Sequence, residues 1–270
     1  MGNLLRTTRL ARLALVALAL GAASCRRVGG PAAPAPPVTL LVSAASSLTD
    51  AMAAIGEAFA ARNPGCVVRL NAAGSGALQR QIEQGAPVDV FASASPKEVD
   101  ALQRGGHLES ADCLEFAGNG LVLIAPPGSG LRTWSDLALP AVRRVAISNP
   151  DSVPSGRYAR QTLESRRLWS RLARRIVYGE SARQTLQYVA GGDVEAGIVF
   201  ATDAIHEDAR VKVIAAALPG ADHAPIVYPA GALKRAPHAA LAKRFVAFLK
   251  GPTAQAILAR HGFKSVGPVR

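Results

Sequence analysis

The sequence is poor in aromatic residues, in acidic residues and in long apolar segments. Only 5% of its 270 residues are Phe, Trp or Tyr although 49% are hydrophobic, so a core must be built mainly from aliphatic side chains. No long apolar run follows residue 23, which excludes a polytopic membrane protein. The charged fraction of 19% and the mean hydropathy of +0.18 exclude a disordered chain. We therefore expect a sizeable buried core, in one large domain or two modest ones.

Basic residues outnumber acidic residues by 31 to 19, which gives a net charge of +12. Such an excess is typical of nucleic-acid binding. However, six of the 31 are Lys and the other 25 are Arg, scattered along the chain without the interleaved aromatic residues of a single-strand binding groove. We interpret the excess as compositional bias and expect no nucleic-acid partner, although a positive surface attracts small anions.

The N-terminal residues have the layout of a secretory signal. Three arginines precede the apolar run Leu13–Ala23, which is too short to span a bilayer. We expect residues 1–24 to be a signal peptide and Cys25, in a sequence that resembles a bacterial lipobox, to carry a lipid. Ordinary signal cleavage nearby is the alternative, because Ala22 stands where lipoboxes usually carry Leu. Residues 25–37 are rich in Pro and Gly and predict an extended tether. Because of the signal peptide and the lipid anchor, the protein is expected at the periplasmic face of the membrane.

Two further cysteines, Cys66 and Cys113, lie in the part of the chain expected to fold. In an oxidising compartment they could form a disulfide or stay as separate thiols, and the sequence leaves both open.

Short β-rich runs alternate with segments of helical periodicity. This alternation predicts an α/β fold with mainly parallel sheets flanked by helices. The runs are Val38–Ser43, Val67–Leu70, Val88–Ala92, Val145–Ser148, Arg175–Tyr178 and Gly197–Phe200. In such folds ligands bind beyond the carboxyl ends of the strands, where loops lead into helices.

Four of these strand-to-helix junctions carry a serine. They are Ser47, Ser75 in a Gly-Ser-Gly loop, Ser155, and Ser181 with Gln184 three residues later. Each has a simple structural interpretation as a helix N-cap or a turn residue. Together they favour an anion site, because helix N-termini carry unsatisfied N–H donors and partial positive charge.

The sequence shows no pattern typical of a catalytic site or of a resident metal centre. The five histidines show no metal-ligand spacing and no carboxylates are paired as acid and base. Asp203 is interpreted as a helix cap. We therefore expect neither catalysis nor a cofactor.

Five longer motifs together resemble the periplasmic molybdate-binding proteins of ABC transporters. They are Ala44–Met52, Gly74–Pro87, Gly118–Pro126, Ile147–Pro154 and Leu249–Pro252, and the similarity covers about residues 38–264. The resemblance implies a two-lobed type II periplasmic binding protein fold with the ligand in the cleft between the lobes. Lobe 1 would comprise 38–120 and 228–270, and lobe 2 would comprise 121–227. Closure would occur about hinges near Gly120 and Tyr228.

The resemblance also implies a set of oxyanion-binding residues. Ser47 matches the first hydroxyl donor of the family, and Ser75 with Gly76 lies in its second binding loop. Some members of the family carry the ligating Ser at the position of Gly76, so here either the backbone N–H of Gly76 or the hydroxyl of Ser75 would serve the ligand. Ser155 and Ala182 match positions that contribute mainly backbone N–H groups. Phe200 stands where many molybdate-binding proteins carry a Tyr whose hydroxyl reaches the ligand. Loss of that hydrogen bond costs about 1.5–3 kcal/mol unless another donor replaces it.

The resemblance implies a monomeric extracytoplasmic receptor that binds molybdate, and also tungstate, through neutral donors. The receptor would deliver the ligand to the permease of an ABC importer, and molybdenum would be present only within the bound oxyanion. A receptor of the same fold for sulfate or another tetrahedral oxyanion is the alternative, favoured by Phe200. A lipid-anchored enzyme is a more distant alternative.

Overall fold

A computed structural model describes residues 36–207 and 209–266. The predicted signal peptide, Cys25 and all but the last two residues of the 25–37 tether lie outside the described residues. Within the described part of the chain, no helix combines the length and the apolarity that crossing a membrane requires.

Two five-stranded sheets organise the described residues. The strands are Val38–Ala45 (β1), Cys66–Ala73 (β2), Val90–Ala92 (β3), Leu108–Gly118 (β4), Leu121–Ala125 (β5), Val145–Ser148 (β6), Ile176–Gly179 (β7), Ala196–Phe200 (β8), Lys212–Ala216 (β9) and Val227–Leu233 (β10). The first sheet has the order β2-β1-β3-β10-β4 and the second the order β7-β6-β8-β5-β9. β1 pairs in parallel with β2 and β3, and β6 pairs in parallel with β7 and β8. The predicted α/β fold with mainly parallel sheets is confirmed.

Nine α-helices connect and cover the strands in the described residues. They are Thr49–Ala61 (α1), Ser75–Glu83 (α2), Pro96–Arg104 (α3), Pro154–Ser165 (α4), Trp169–Leu172 (α5), Ala182–Ala190 (α6), Ala201–His206 (α7), Ala239–Leu249 (α8) and Pro252–Arg260 (α9). A short 3₁₀-helix, Ser46–Leu48, joins β1 to α1.

Helix α1 shows why the sequence folds in this way. Met52, Ile55 and Phe59 recur at helical spacing and are buried against the first sheet. The ring of Phe59 meets the ring of Phe245 from α8 edge to face, with the ring centres 5.0 Å apart. Each such side chain stabilises the fold by about 1.5–3 kcal/mol through burial.

The chain crosses from the first sheet to the second between β4 and β5, and it returns between β9 and β10. The division into lobes that move about Gly120 and Tyr228 stays a prediction. Cys66 and Cys113 are both free thiols, so of the two states left open by the sequence the structure has the unpaired one. Burial raises the pKa of both thiols and makes them poor nucleophiles.

Gly156 lets α4 begin directly against the end of β6. A Cβ atom at this position would lie 2.1 Å from the backbone oxygen of Ser148 and 2.6 Å from its carbonyl carbon. Backbone atoms of a paired strand cannot move aside as a flexible side chain can.

We expect Gly156→Ala to lower the free energy of unfolding by about 1–3 kcal/mol because of this overlap. Urea denaturation measures the loss. The matched control is Gly130→Ala, since Gly130 is exposed and a Cβ there would meet nothing within 4 Å. Equal stability of the two variants would contradict the prediction.

Candidate functional site

Helix N-termini from both sheets meet at one place, which we call the inter-sheet junction. It comprises the 3₁₀-helix Ser46–Leu48 and the start of α2 from the first sheet, with the starts of α4 and α6 from the second. The backbone N–H of Gly76 in α2 donates to the carbonyl oxygen of Ser152, just before α4, at 2.9 Å. Arg183 of α6 pairs with Asp50 of α1 at 2.5 Å. The structure therefore brings the segments that carry Ser47, Ser75, Ser155 and Ala182 together.

Glycine allows the two backbones to approach this closely. A Cβ atom on Gly76 would lie 2.6 Å from the oxygen of Ser152, and one on Gly74 would lie 3.0 Å from the oxygen of Glu180. The N–H of Gly76 is occupied by this contact, so in this conformation Gly76 joins the two halves and offers no free backbone donor. The role of Gly76 in oxyanion binding stays a prediction.

Ser75 is the hydroxyl donor that remains in this loop. Its side chain is fully buried, and its Oγ accepts a hydrogen bond from the backbone N–H of Ala94 at 3.2 Å. Because that bond uses a lone pair, the hydroxyl proton of Ser75 stays available for an acceptor.

Ser47 does not cap a helix. The 3₁₀-helix starts at Ser46 with Ala45 as its N-cap residue, and no side chain caps it. The buried Oγ of Ser47 lies instead 3.0 Å from the phenol oxygen of Tyr228, on β10. The N-cap interpretation of Ser47 is therefore wrong. Its hydroxyl contacts that of Tyr228, a residue expected from the sequence only near a hinge.

Ser155 and Ala182 occupy the first turns of α4 and α6. The hydroxyl of Ser155 donates to the Oγ of Ser148 at 2.7 Å, which leaves the backbone N–H of this first turn as its free donor. Ala182 is the first residue of α6, and the hydroxyl oxygen of Ser181 accepts from the N–H of Gln184 at 3.1 Å. The N-cap predicted at Ser181 is confirmed.

Phe200 ends β8 and lies in an aromatic cluster. Its ring is buried, with its centre 5.8 Å from that of Tyr228 and 6.3 Å from that of Tyr158 in α4. A phenyl ring offers only apolar contact, and its contact with a ligand stays a prediction.

Two ion pairs join the halves of the molecule beside the junction. Arg157 of α4 pairs with the buried Glu98 of α3 at 2.6 Å and also donates to the Oγ of Ser95 at 3.1 Å. The Arg183–Asp50 pair bridges α6 and α1. Each of these two guanidinium groups therefore has a carboxylate partner, while the buried Nη1 of Arg157 has no hydrogen-bond partner among the described residues.

Asp203 in α7 is completely buried, and neither of its carboxylate oxygens has a hydrogen-bond partner of normal geometry. Phe200 is the N-cap residue of α7 and no side chain caps this helix, so the interpretation of Asp203 as a cap is wrong. Burial raises the pKa of Asp203 to about 7, although Arg183 and the N–H of Phe200 lower it. Among the described residues, no three His, Cys, Asp or Glu side chains are grouped as a metal centre requires.

Comparison with known proteins identifies relatives over most of the chain. Residues 40–264 match the family model of the bacterial extracellular solute-binding proteins. The chain is 36% identical to a Bacillus subtilis protein provisionally named as the ABC transporter substrate-binding lipoprotein YvgL, over 84% of this chain and 86% of that protein. It is 34% identical to the molybdate-binding protein ModA of Escherichia coli, over 83% of this chain and 88% of that protein.

A solved structure shows the same likeness. The periplasmic molybdate-binding protein of Azotobacter vinelandii superposes with a TM-score of 0.76 at 30% identity, covering 85% of this chain and all of the other. The type II periplasmic binding protein fold is thereby confirmed.

Asp203 gives a pH dependence that can be measured. Its pKa is higher in the folded state than the value of about 3.9 in an unfolded chain, so its neutral form favours folding. This contribution is fully present below about pH 4 and is lost as the pH rises through about 7. Between pH 5 and pH 8, the wild type should lose about 2–3 kcal/mol of unfolding free energy relative to Asp203→Asn.

Urea denaturation of both proteins at the two pH values tests this expectation. Asp100→Asn, at an exposed carboxylate, is the control and should follow the wild type. A wild type and an Asp203→Asn variant with parallel pH dependence would contradict the burial of an ionisable carboxyl group.

Proposed function

The chain belongs to the bacterial extracellular solute-binding proteins, in the group of the molybdate-binding proteins of ABC transporters, and we propose that it is an exported receptor for molybdate. Tungstate binds the same site in this proposal, and the permease of an ABC importer receives the ligand. The receptor acts as a monomer, without catalysis and without a cofactor. The observation that carries the proposal is the meeting of neutral hydroxyl and helix N-terminal donors at the inter-sheet junction.

Neutral donors suit the chemistry of this ligand. Molybdate and tungstate are tetrahedral dianions without a proton near neutral pH, so they only accept hydrogen bonds. In the proposed site Ser47 and Ser75 donate hydroxyl protons, while Ser155 and Ala182 donate backbone N–H groups. The first turns of α4 and α6 add partial positive charge. A protonated anion such as hydrogen phosphate needs an acceptor as well, and no residue of the proposed site is a carboxylate.

Sulfate is the second candidate ligand, because it is also a dianion that only accepts hydrogen bonds. Phe200 favours it over molybdate, since the position that carries a Tyr in many molybdate-binding proteins offers no hydroxyl here. Thr202 offsets this argument, because its buried hydroxyl lies two residues further on and accepts a hydrogen bond from Asn119 at 2.9 Å. Its own proton can then serve another acceptor.

Cys25 anchors the receptor to the membrane in this proposal, and residues 25–37 tether the folded part to the lipid. The lipoprotein name of the Bacillus subtilis relative supports the anchor. This arrangement keeps the receptor beside its permease.

Calorimetric titration of a chain that begins after Cys25 tests the proposed ligand. We expect one-to-one binding of molybdate and tungstate, and much weaker binding of sulfate and phosphate. Tighter binding of sulfate would replace the proposal by the sulfate receptor. Binding of none of the four anions would reject an oxyanion receptor of this type.

Ser75→Ala tests the proposed site. Loss of one hydrogen bond to a charged ligand should raise the Kd for molybdate about 10- to 100-fold. The matched control is Ser43→Ala, at an equally buried serine of β1 that is not part of the junction and whose Oγ accepts from Asn71 at 3.2 Å. Thermal melting confirms that both variants fold. An unchanged affinity of Ser75→Ala would remove Ser75 from the site.

A further inference from the structure

The side-chain amide of Asn119 has every hydrogen-bonding group in use. Asn119 lies between β4 and β5 and is 3% exposed. Its Oδ1 accepts from the N–H of Gly120 at 2.8 Å, and its Nδ2 donates to Thr202 Oγ1 at 2.9 Å and to the phenol oxygen of Tyr228 at 3.0 Å. The network therefore fixes which end of the amide faces Tyr228, and that end can only donate.

The direction of the Asn119 bond determines the direction of the next one. Tyr228 is fully buried, and its phenol oxygen lies 3.0 Å from Ser47 Oγ. Because the oxygen of Tyr228 already accepts from Asn119, its single proton is the group that still needs a partner, and Ser47 Oγ is within reach. A buried phenol proton without an acceptor is costly. Burial also raises the pKa of Tyr228 far above its ordinary value, so it keeps this proton.

We propose that Asn119 and Tyr228 are positioning residues that orient the Ser47 hydroxyl as a donor to the bound oxyanion. The inference rests on the proposed function. Ser47 has one proton, and once its oxygen accepts from Tyr228 that proton is directed elsewhere. The direction matters because a dianion repels a lone pair and binds a proton.

Aromatic packing holds the phenol of Tyr228 in place. Its ring centre lies 5.4 Å from that of Phe263, 5.8 Å from that of Phe200 and 6.4 Å from that of Phe116. Three rings from separate parts of the chain thus keep the hydroxyl aimed at Ser47. Tyr228 therefore orients the Ser47 hydroxyl in addition to packing in the core.

A double-mutant cycle tests the inference, with the Kd for molybdate measured by calorimetry. We expect Ser47→Ala to raise the Kd about 10- to 100-fold and Tyr228→Phe to raise it about 3- to 10-fold. The double variant should bind as Ser47→Ala does, within about 2-fold, because Tyr228 acts through Ser47. A merely structural role of Tyr228 would weaken binding equally in both backgrounds.

Tyr158→Phe is the matched control, since it removes another buried phenol hydroxyl, which lies near Ser95, and should change the Kd less than about 2-fold. Additive effects of the two substitutions, or an unchanged Kd of Tyr228→Phe, would overturn the inference and leave the receptor intact. Failure of the unaltered chain to bind molybdate would instead overturn the proposed function. If Tyr228→Phe does not fold, Asn119→Ala replaces it in the same cycle. Because Asn119 also donates to Thr202, only part of its effect should disappear in the Ser47→Ala background, and full additivity would overturn the inference.

Discussion

Parallel strand pairing is the constraint on which the site depends. Because β1 runs parallel to β2, and β6 to β7 and β8, the carboxyl ends of these strands lie at one edge of each sheet. The helices that follow must therefore start at that edge, with their unsatisfied N–H groups together. The contact between Gly76 and Ser152 then brings the two edges to hydrogen-bond distance. The topology alone therefore places a set of neutral backbone N–H donors close together, without any contribution from side chains.

The two arginines beside the junction are paired with carboxylates of the protein. Arg157 is engaged by Glu98 and Arg183 by Asp50, while burial favours the neutral form of Asp203. Glu98 is buried, and removing a buried charge from its partner is costly, so Arg157 is a poor candidate for a direct ligand. The net charge of +12 therefore does not identify the binding groups. It acts at longer range, where a positive surface raises the local concentration of anions.

The sequence predicted what depends on local pattern. Strand runs such as Val145–Ser148 and the cap at Ser181 could be located because the signals lie within a few neighbouring residues. Tyr228 could not be placed beside Ser47 from the sequence, because 181 residues separate them and only the antiparallel return of β10 joins them. Two further features depend in the same way on segments distant in the chain. They are the hydrogen bond from the N–H of Gly76 to Ser152, and the burial of the Asp203 carboxyl group without a hydrogen-bond partner.

Phe200 contributes packing beside the junction without a hydroxyl group. Its ring fills the space between Tyr158 and Tyr228, so the packing that a Tyr would provide is retained. Sulfate and molybdate both only accept hydrogen bonds, so neutral donors suit either anion in the proposed receptor. In the proposed receptor, the distance between donors from the two sheets is a second basis for selectivity, because the anions differ in size. The backbone contact between Gly76 and Ser152 holds the start of α2 against the segment that precedes α4, and it leaves no room for a side chain on Gly76.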